Sequence, residues 1–178
     1  MFTEAIHGEI WMEQWNSGGV VFELLRVPAS LWCGSAGYAP NCADEPDIGA
    51  LLQKYQSLCD SPKRGRPLPE WSCCISIDYW REGAVPRGMA FAQQVTSDQQ
   101  APGHDVYAMP ESLFIRAAAT QEHSRAALGK EHCEPFELFE VIKAAMKERD
   151  YAIADNGAQE IEMYNHEAGL AYAYVPVK

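Results

Sequence analysis

Two short stretches decide the fold. Val27-Pro28-Ala29-Ser30-Leu31-Trp32-Cys33 and Met109-Pro110-Glu111-Ser112-Leu113-Phe114-Ile115 share Pro, Ser, Leu and an aromatic in the same order, 109 − 27 = 82 residues apart. Further along each copy, Met89-Ala90-Phe91-Ala92 lies against Ala171-Tyr172-Ala173-Tyr174 at 171 − 89 = 82. Ile77-Asp78-Tyr79-Trp80 matches Ile161-Glu162-Met163-Tyr164 at 161 − 77 = 84. One such match carries little weight, but several in one order at a nearly constant offset define a duplicated unit.

Each unit also holds one helix. After Asp44-Glu45-Pro46, the residues Ile48, Leu51, Leu52, Tyr55, Leu58 and Cys59 recur at helical spacing. Proline at a helix start loses no hydrogen bond, and acids favour that end. The second helix opens in the same way at Glu134-Pro135, carries the stripe Phe136, Phe139, Ile142 and Met146, and closes on Lys143, Lys147 and Arg149. The order in each half is therefore strand, helix, strand, strand. One helix covers one face of three strands. Two such halves predict an α+β fold: a duplicated β-α-β-β module forming one curved antiparallel sheet, two helices on one face and a ligand cleft between them. The expected organisation is a single domain over 1–178, with an extra segment at 1–22, a first repeat at 23–96 and a second at 105–178. In the extra segment, Ile6, Ile10, Trp11, Gln14 and Trp15 predict a short amphipathic helix stopped at Ser17-Gly18-Gly19. Val20–Leu25 then reads as a strand.

Composition narrows the partners. The 178 residues are 47% apolar, enough for a packed core, and carry a formal charge of −11. Such a field repels phosphate backbones and gathers cations, so direct nucleic-acid binding is not expected. The first residues carry Glu4, Glu9 and Glu13 and no apolar run, unlike a signal peptide. No stretch approaches the ~20 apolar residues that span a bilayer. Six cysteines without a CxxC pair read as reduced thiols of a cytoplasmic protein. His7, His104, His123, His132 and His166 are scattered, so neither a metal nor another cofactor is expected.

The C-terminal half resembles a known family. Tyr107 to Thr120, the helix after Pro135, Ile161-Glu162-Met163-Tyr164 and the closing Val175-Pro176-Val177-Lys178 are similar to GyrI-like effector-binding domains, which also occur in AraC- and MerR-type regulators of drug response. The resemblance covers about 75 residues and rests on the order of its motifs. It implies a duplicated module whose cleft takes hydrophobic, often cationic, compounds through aromatic side chains and a buried carboxylate; with no helix-turn-helix pattern ahead of the module, a stand-alone form is expected. Many members place a Glu three residues before the final Ile-Pro-Ile, where this chain has Tyr172, so the resemblance implies either another charge-recognising acid or a less charged ligand.

Alternation along a strand puts Asp78 and Trp80 on one face, and Glu162 and Tyr164 on one face. With the two acids related by the repeat, the expectation is that Asp78 and Glu162 approach the pseudo-twofold axis, flanked by Trp80 and Tyr164. The alternative is that both acids face water on half-buried strands. The family places ligand-facing groups at Phe114 and Tyr172, whereas Trp32 and Tyr174 suit wall or core equally. A carboxylate and two or three aromatic faces, each worth about 0.5–2 kcal/mol, bring micromolar affinity (about 8 kcal/mol) within reach. Three roles follow in order: binding of a small amphipathic or cationic ligand; hydrolysis of strained cyclopropanoid compounds by Glu162 and Tyr164 as acid/base pair; and modulation of a protein partner such as a topoisomerase. A homodimer is compatible with each.

Overall fold

The computed structural model describes residues 2–80 and 85–178. Among the described residues, nine strands form one antiparallel sheet, in the order β1-β2-β7-β9-β8-β4-β5-β3-β6, with three α-helices beside it. They are β1 (Ile10–Ser17), β2 (Val20–Val27), β3 (Ser30–Tyr38), β4 (Ser72–Ile77), β5 (Gly88–Val95), β6 (Asp105–Met109), β7 (Ser112–Ala118), β8 (Glu160–Asn165) and β9 (Leu170–Val177). The helices, α1 (Ile48–Ser57), α2 (Gln121–Leu128) and α3 (Phe139–Lys147), lie on one face. Among the described residues no helix is long and apolar enough to cross a membrane.

The expected α+β architecture is present, with three refinements. Each stretch quoted first is a corner rather than one strand. Pro28 and Pro110 cannot donate to a ladder, so the chain leaves β2 and β6 there and re-enters the sheet as β3 and β7. Only Pro28 and Ala29 join β2 to β3, yet these strands stand six places apart in the sheet. A flat sheet would separate them by about 29 Å at ~4.8 Å per strand, while three peptide units reach about 11 Å. The sheet must therefore roll up until its ends approach each other. The inside of the roll is one core, containing Trp32, Ile75, Phe114, Ile161 and Tyr174. The helix side is a second, containing Phe22, Ile115, Ile142, Met146 and Val175.

Second, residues 10–17 are a strand, not the helix expected from Ile10, Trp11, Gln14 and Trp15. Gly18 and Gly19 sit at φ +60° and +84°, the left-handed values of a two-residue hairpin, and Ser17 pairs with Val20. The diglycine is a hairpin turn joining β1 to β2. The segment before it plugs the roll: Ala5 and Ile6 are buried in the inner core, and the His7 N–H donates to Gln94 Oε1 at 2.7 Å. Third, among the described residues α2 has no counterpart in the first half. Thr120 Oγ1 accepts from the His123 N–H at 3.1 Å to start it, and Gly129 at φ +67° ends it.

Candidate functional site

The repeat is cleanest where strands pair. Val27 pairs with Ser112 and Ser30 with Met109, so the two corners exchange partners at an offset of 82. Leu31 with Val95 and Leu113 with Val177 keep that offset in the last strand of each half. Cys73 pairs with Ala92, and Tyr174, the counterpart of Ala92, pairs with Ile161. Cys73 therefore corresponds to Ile161, and Cys74 to Glu162, at 162 − 74 = 88. The offset of 84 read from Ile77-Asp78 is replaced by 88, because the insertion around α2 lengthens the second half ahead of β8.

Cys74 and Glu162 are also direct cross-strand partners, with Ser72 opposite Tyr164 and Ser76 opposite Glu160. The pseudo-twofold axis thus runs between a thiol and a carboxylate. Both face the helices, and above them lies a cleft of about 540 Å³. Its floor is Ser72, Cys74, Glu162 and Tyr164; Met89 and Phe91 of β5 rise on one side with Ile48, Leu52 and Tyr55 of α1. Glu134, Phe136 and His166 form the other side. Tyr55 and Phe91 lie 6.4 Å apart between ring centres, and Tyr164 and His166 stack at 5.7 Å with their planes 9° apart. The volume fits a drug-sized ligand.

Glu162 is 6% exposed. Its Oε2 accepts from the Tyr164 hydroxyl at 2.5 Å, and the Cys74 thiol and the Phe136 N–H lie close enough to favour its ionised form. Burial pushes its pKa above the ordinary carboxylate range, and these groups pull against that without cancelling it. Burial also pushes the Tyr164 phenol and the Cys74 thiol far up, assisted by the Glu162 charge, so both stay protonated donors. The Tyr55 phenol is raised to about 12 by burial. Among the described residues no Lys or Arg forms an ion pair with Glu162, whereas the neighbouring Glu160 is paired with Lys143 at 2.7 Å.

Of the residues expected in the site, Glu162 and Tyr164 meet in the cleft and the other five do not. Asp78 follows the end of β4 at φ +58°, and its N–H donates to Gln159 Oε1 at 2.9 Å. Its repeat counterpart is position 166, not Glu162, which is why it misses the axis. Trp80 lies two residues further on in the turn. Trp32, Phe114 and Tyr172 point into the roll. Alternation holds for Glu162 with Tyr164 on β8 but not for Asp78 and Trp80, which lie past the end of β4; and both faces of this sheet are covered, so apolarity does not tell the cleft side from the inside. Tyr172 and Tyr174 instead hold a buried arginine: the Arg116 guanidinium lies 4.4 Å from the Tyr172 ring centre and donates to the Tyr174 hydroxyl at 3.0 Å. The residues missed are those of α1, β5 and the 134–136 corner. The aromatic Tyr55 in the helical stripe and Phe91 in the repeated strand were their available signals.

A duplicated unit, a rolled antiparallel sheet and a cleft beside its helices make up a fold that this chain shares with several solved structures, as the resemblance to GyrI-like domains implies. Solved structures that share it include the EcmrR C-terminal domain, 11% identical with a TM-score of 0.56 over 88% of this chain and 96% of that one. A putative bacterial transcription regulation protein from Staphylococcus aureus MU50 is 16% identical with a TM-score of 0.59 over 90% and 99%. SAV2435 bound to tetraphenylphosphonium is likewise 16% identical at 0.59 over 88% and 93%. No protein-family model and no curated protein matches the chain.

Proposed function

We propose that the cleft binds a small, hydrophobic, aromatic cation, as a sensing or sequestering module in the cytoplasm. One observation carries this reading: Glu162 is a buried carboxylate on the cleft floor whose described partners are hydrogen-bond donors and not cations. A buried carboxylate without a counter-ion is costly, and a ligand cation removes that cost while the aromatic walls add to the attraction. The likeness to a fold solved with tetraphenylphosphonium supports it. Titration calorimetry with tetraphenylphosphonium should give saturable binding that weakens about 10- to 100-fold in Glu162→Gln, as expected for a lost charge contact of about 1.4–3 kcal/mol. The neutral triphenylphosphine oxide should be nearly indifferent to the substitution. Equal phosphonium affinity in both proteins sinks the reading.

A second reading draws on the 2.5 Å Tyr164–Glu162 bond. In this reading Glu162 and Tyr164 act as an acid/base pair that hydrolyses strained cyclopropanoid rings. Catalytic loss of substrate absorbance, absent in Glu162→Gln, distinguishes turnover from binding.

A further inference from the structure

The cleft does not end at its aromatic wall. Beyond Tyr164 and His166 a second cavity of about 260 Å³ opens, and Glu134, Tyr164 and His166 line both. The partition is therefore one stacked ring pair with a carboxylate beside it. Tyr164 is tethered to Glu162, while His166 is exposed just past the end of β8 and rests flat on Tyr164. Small residues floor the second chamber. Ala171 pairs across the strands with Tyr164, and the Ala119 N–H donates to the Ala171 carbonyl at 2.8 Å. Pro135 and Cys133 close one side, the exposed His132 stands at the rim, and Asn165 is buried in the lining. Negative charge is thus concentrated at Glu162 and at the doorway residue Glu134; beyond the doorway Ala119, Cys133, Pro135, Leu170 and Ala171 form the apolar part of the described lining, which has His132 and Asn165 as its polar groups and no further carboxylate.

We propose that the second chamber takes the apolar arm of an elongated amphipathic cation, its charged aromatic head on Glu162 and its chain passing Glu134 and the Tyr164–His166 stack. This rests on the cation-binding reading and adds a ligand shape to it. A head group alone fills the first chamber, so a tail long enough to cross the partition gains affinity by burying methylenes against Ala119, Pro135 and Ala171. That gain stops when the chamber is full.

The test is calorimetry with alkyl-triphenylphosphonium ions of increasing chain length, from methyl to dodecyl. In the native chain the affinity should be flat for the shortest members. It should then rise by up to about fourfold per methylene over an intermediate range, the equivalent of burying one methylene, and level off. In Ala171→Leu, and separately in Ala119→Leu, which fill the chamber from β9 and from the residue after β7, the rise should disappear while the methyl member binds as in the native chain. A flat series in the native chain, or a rise that survives in both variants, overturns the inference and leaves the cleft reading standing. Failure of the methyl member to bind the native chain overturns both. The native series needs no variant, so a misfolded leucine protein does not remove the test.

Discussion

The two halves of this chain share a frame and differ in how they seat their helix. No side chain of α1 is buried, whereas Phe139, Ile142, Ala145 and Met146 of α3 are. Beneath α3 the sheet presents Ala117, Ala173 and Val175, small and aliphatic groups that let the helix settle into a continuous core. Beneath α1 the close contact is at Gly37, where an added Cβ would stand 2.9 Å from Leu51. Further along, Tyr55 of the helix stands 6.4 Å from Phe91 between ring centres, and the cleft lies beside them. Ile48 and Leu52 remain about two-fifths exposed, at 41% and 39%, although both line an apolar cleft. Duplication supplied the platform; uneven helix seating made the cavity. The same divergence appears on the axis, where one half offers Cys74 and the other Glu162. A single carboxylate on a twofold axis matches a ligand with one central charge.

The inner face shows the largest contrast. By the offset of 82, Arg116 of β7 corresponds to Gly34 of β3. Arg116 is 1% exposed, with Nε on Glu23 at 2.6 Å, a terminal nitrogen on Glu9 at 3.0 Å and on the Thr3 carbonyl at 2.9 Å. At Gly34 even a methyl group would meet the Phe91 carbonyl oxygen at 2.1 Å. One half therefore inserts a charge that fastens the N-terminal segment, and the other excludes any side chain. Arg116→Ala should cost about 3–5 kcal/mol, because it leaves Glu9 buried without its counter-ion. Urea unfolding measures this; a loss below about 1 kcal/mol would show that the segment is held by apolar contacts alone.

The two helices should separate next. Ile142→Ala on α3 removes a fully buried side chain and should cost about 2–4 kcal/mol. Leu52→Ala on α1 should change stability by no more than about 0.5 kcal/mol, since its site is largely exposed already. The ranking reverses for binding: Leu52→Ala should weaken tetraphenylphosphonium several-fold, and Ile142→Ala should leave the folded protein's affinity close to native. Comparable stability losses in the two variants would remove the seating argument.

Much of this was legible before any coordinates. The 82-residue offset, the two repeat helices, and the pairing of Glu162 with Tyr164 on one face all follow from proline corners, helical periodicity and strand alternation. What was not legible has physical reasons. An amphipathic stripe in a short segment fits helix or strand, and only the diglycine distinguished them at residues 10–17. The offset of 84 for the central strands came from a match between apolar residues, which similar strands satisfy at several registers; pairing alone gives 88. Trp32, Phe114 and Tyr172 lie in a roll whose inside is as apolar as its cleft side, so no alternation of character marks the cleft.

The subtlest consequence of the thiol–carboxylate axis is its response to pH. Cys74 stays protonated through the physiological range, so the first half contributes no titration there; Glu162, with its pKa raised by burial, contributes one. The folded-state value lies above the unfolded one, so folding takes up a proton between them. The stability this gives is complete at lower pH and is lost as pH rises through the raised value. A bound cation prefers the ionised form and should expel that proton. Affinity for a permanent cation should therefore rise with pH across the same window, at a slope approaching about tenfold per pH unit, and level off above it. Glu9 and Glu160 are also raised by burial, so the informative quantity is the difference between the native chain and Glu162→Gln. Calorimetry in two buffers of unlike ionisation enthalpy should detect proton release in the native chain and none in the variant. Parallel pH curves for the two proteins would mean that Glu162 is already ionised without a ligand, and that the Tyr164 hydroxyl and the groups around it, rather than an incoming cation, supply the compensation for its burial.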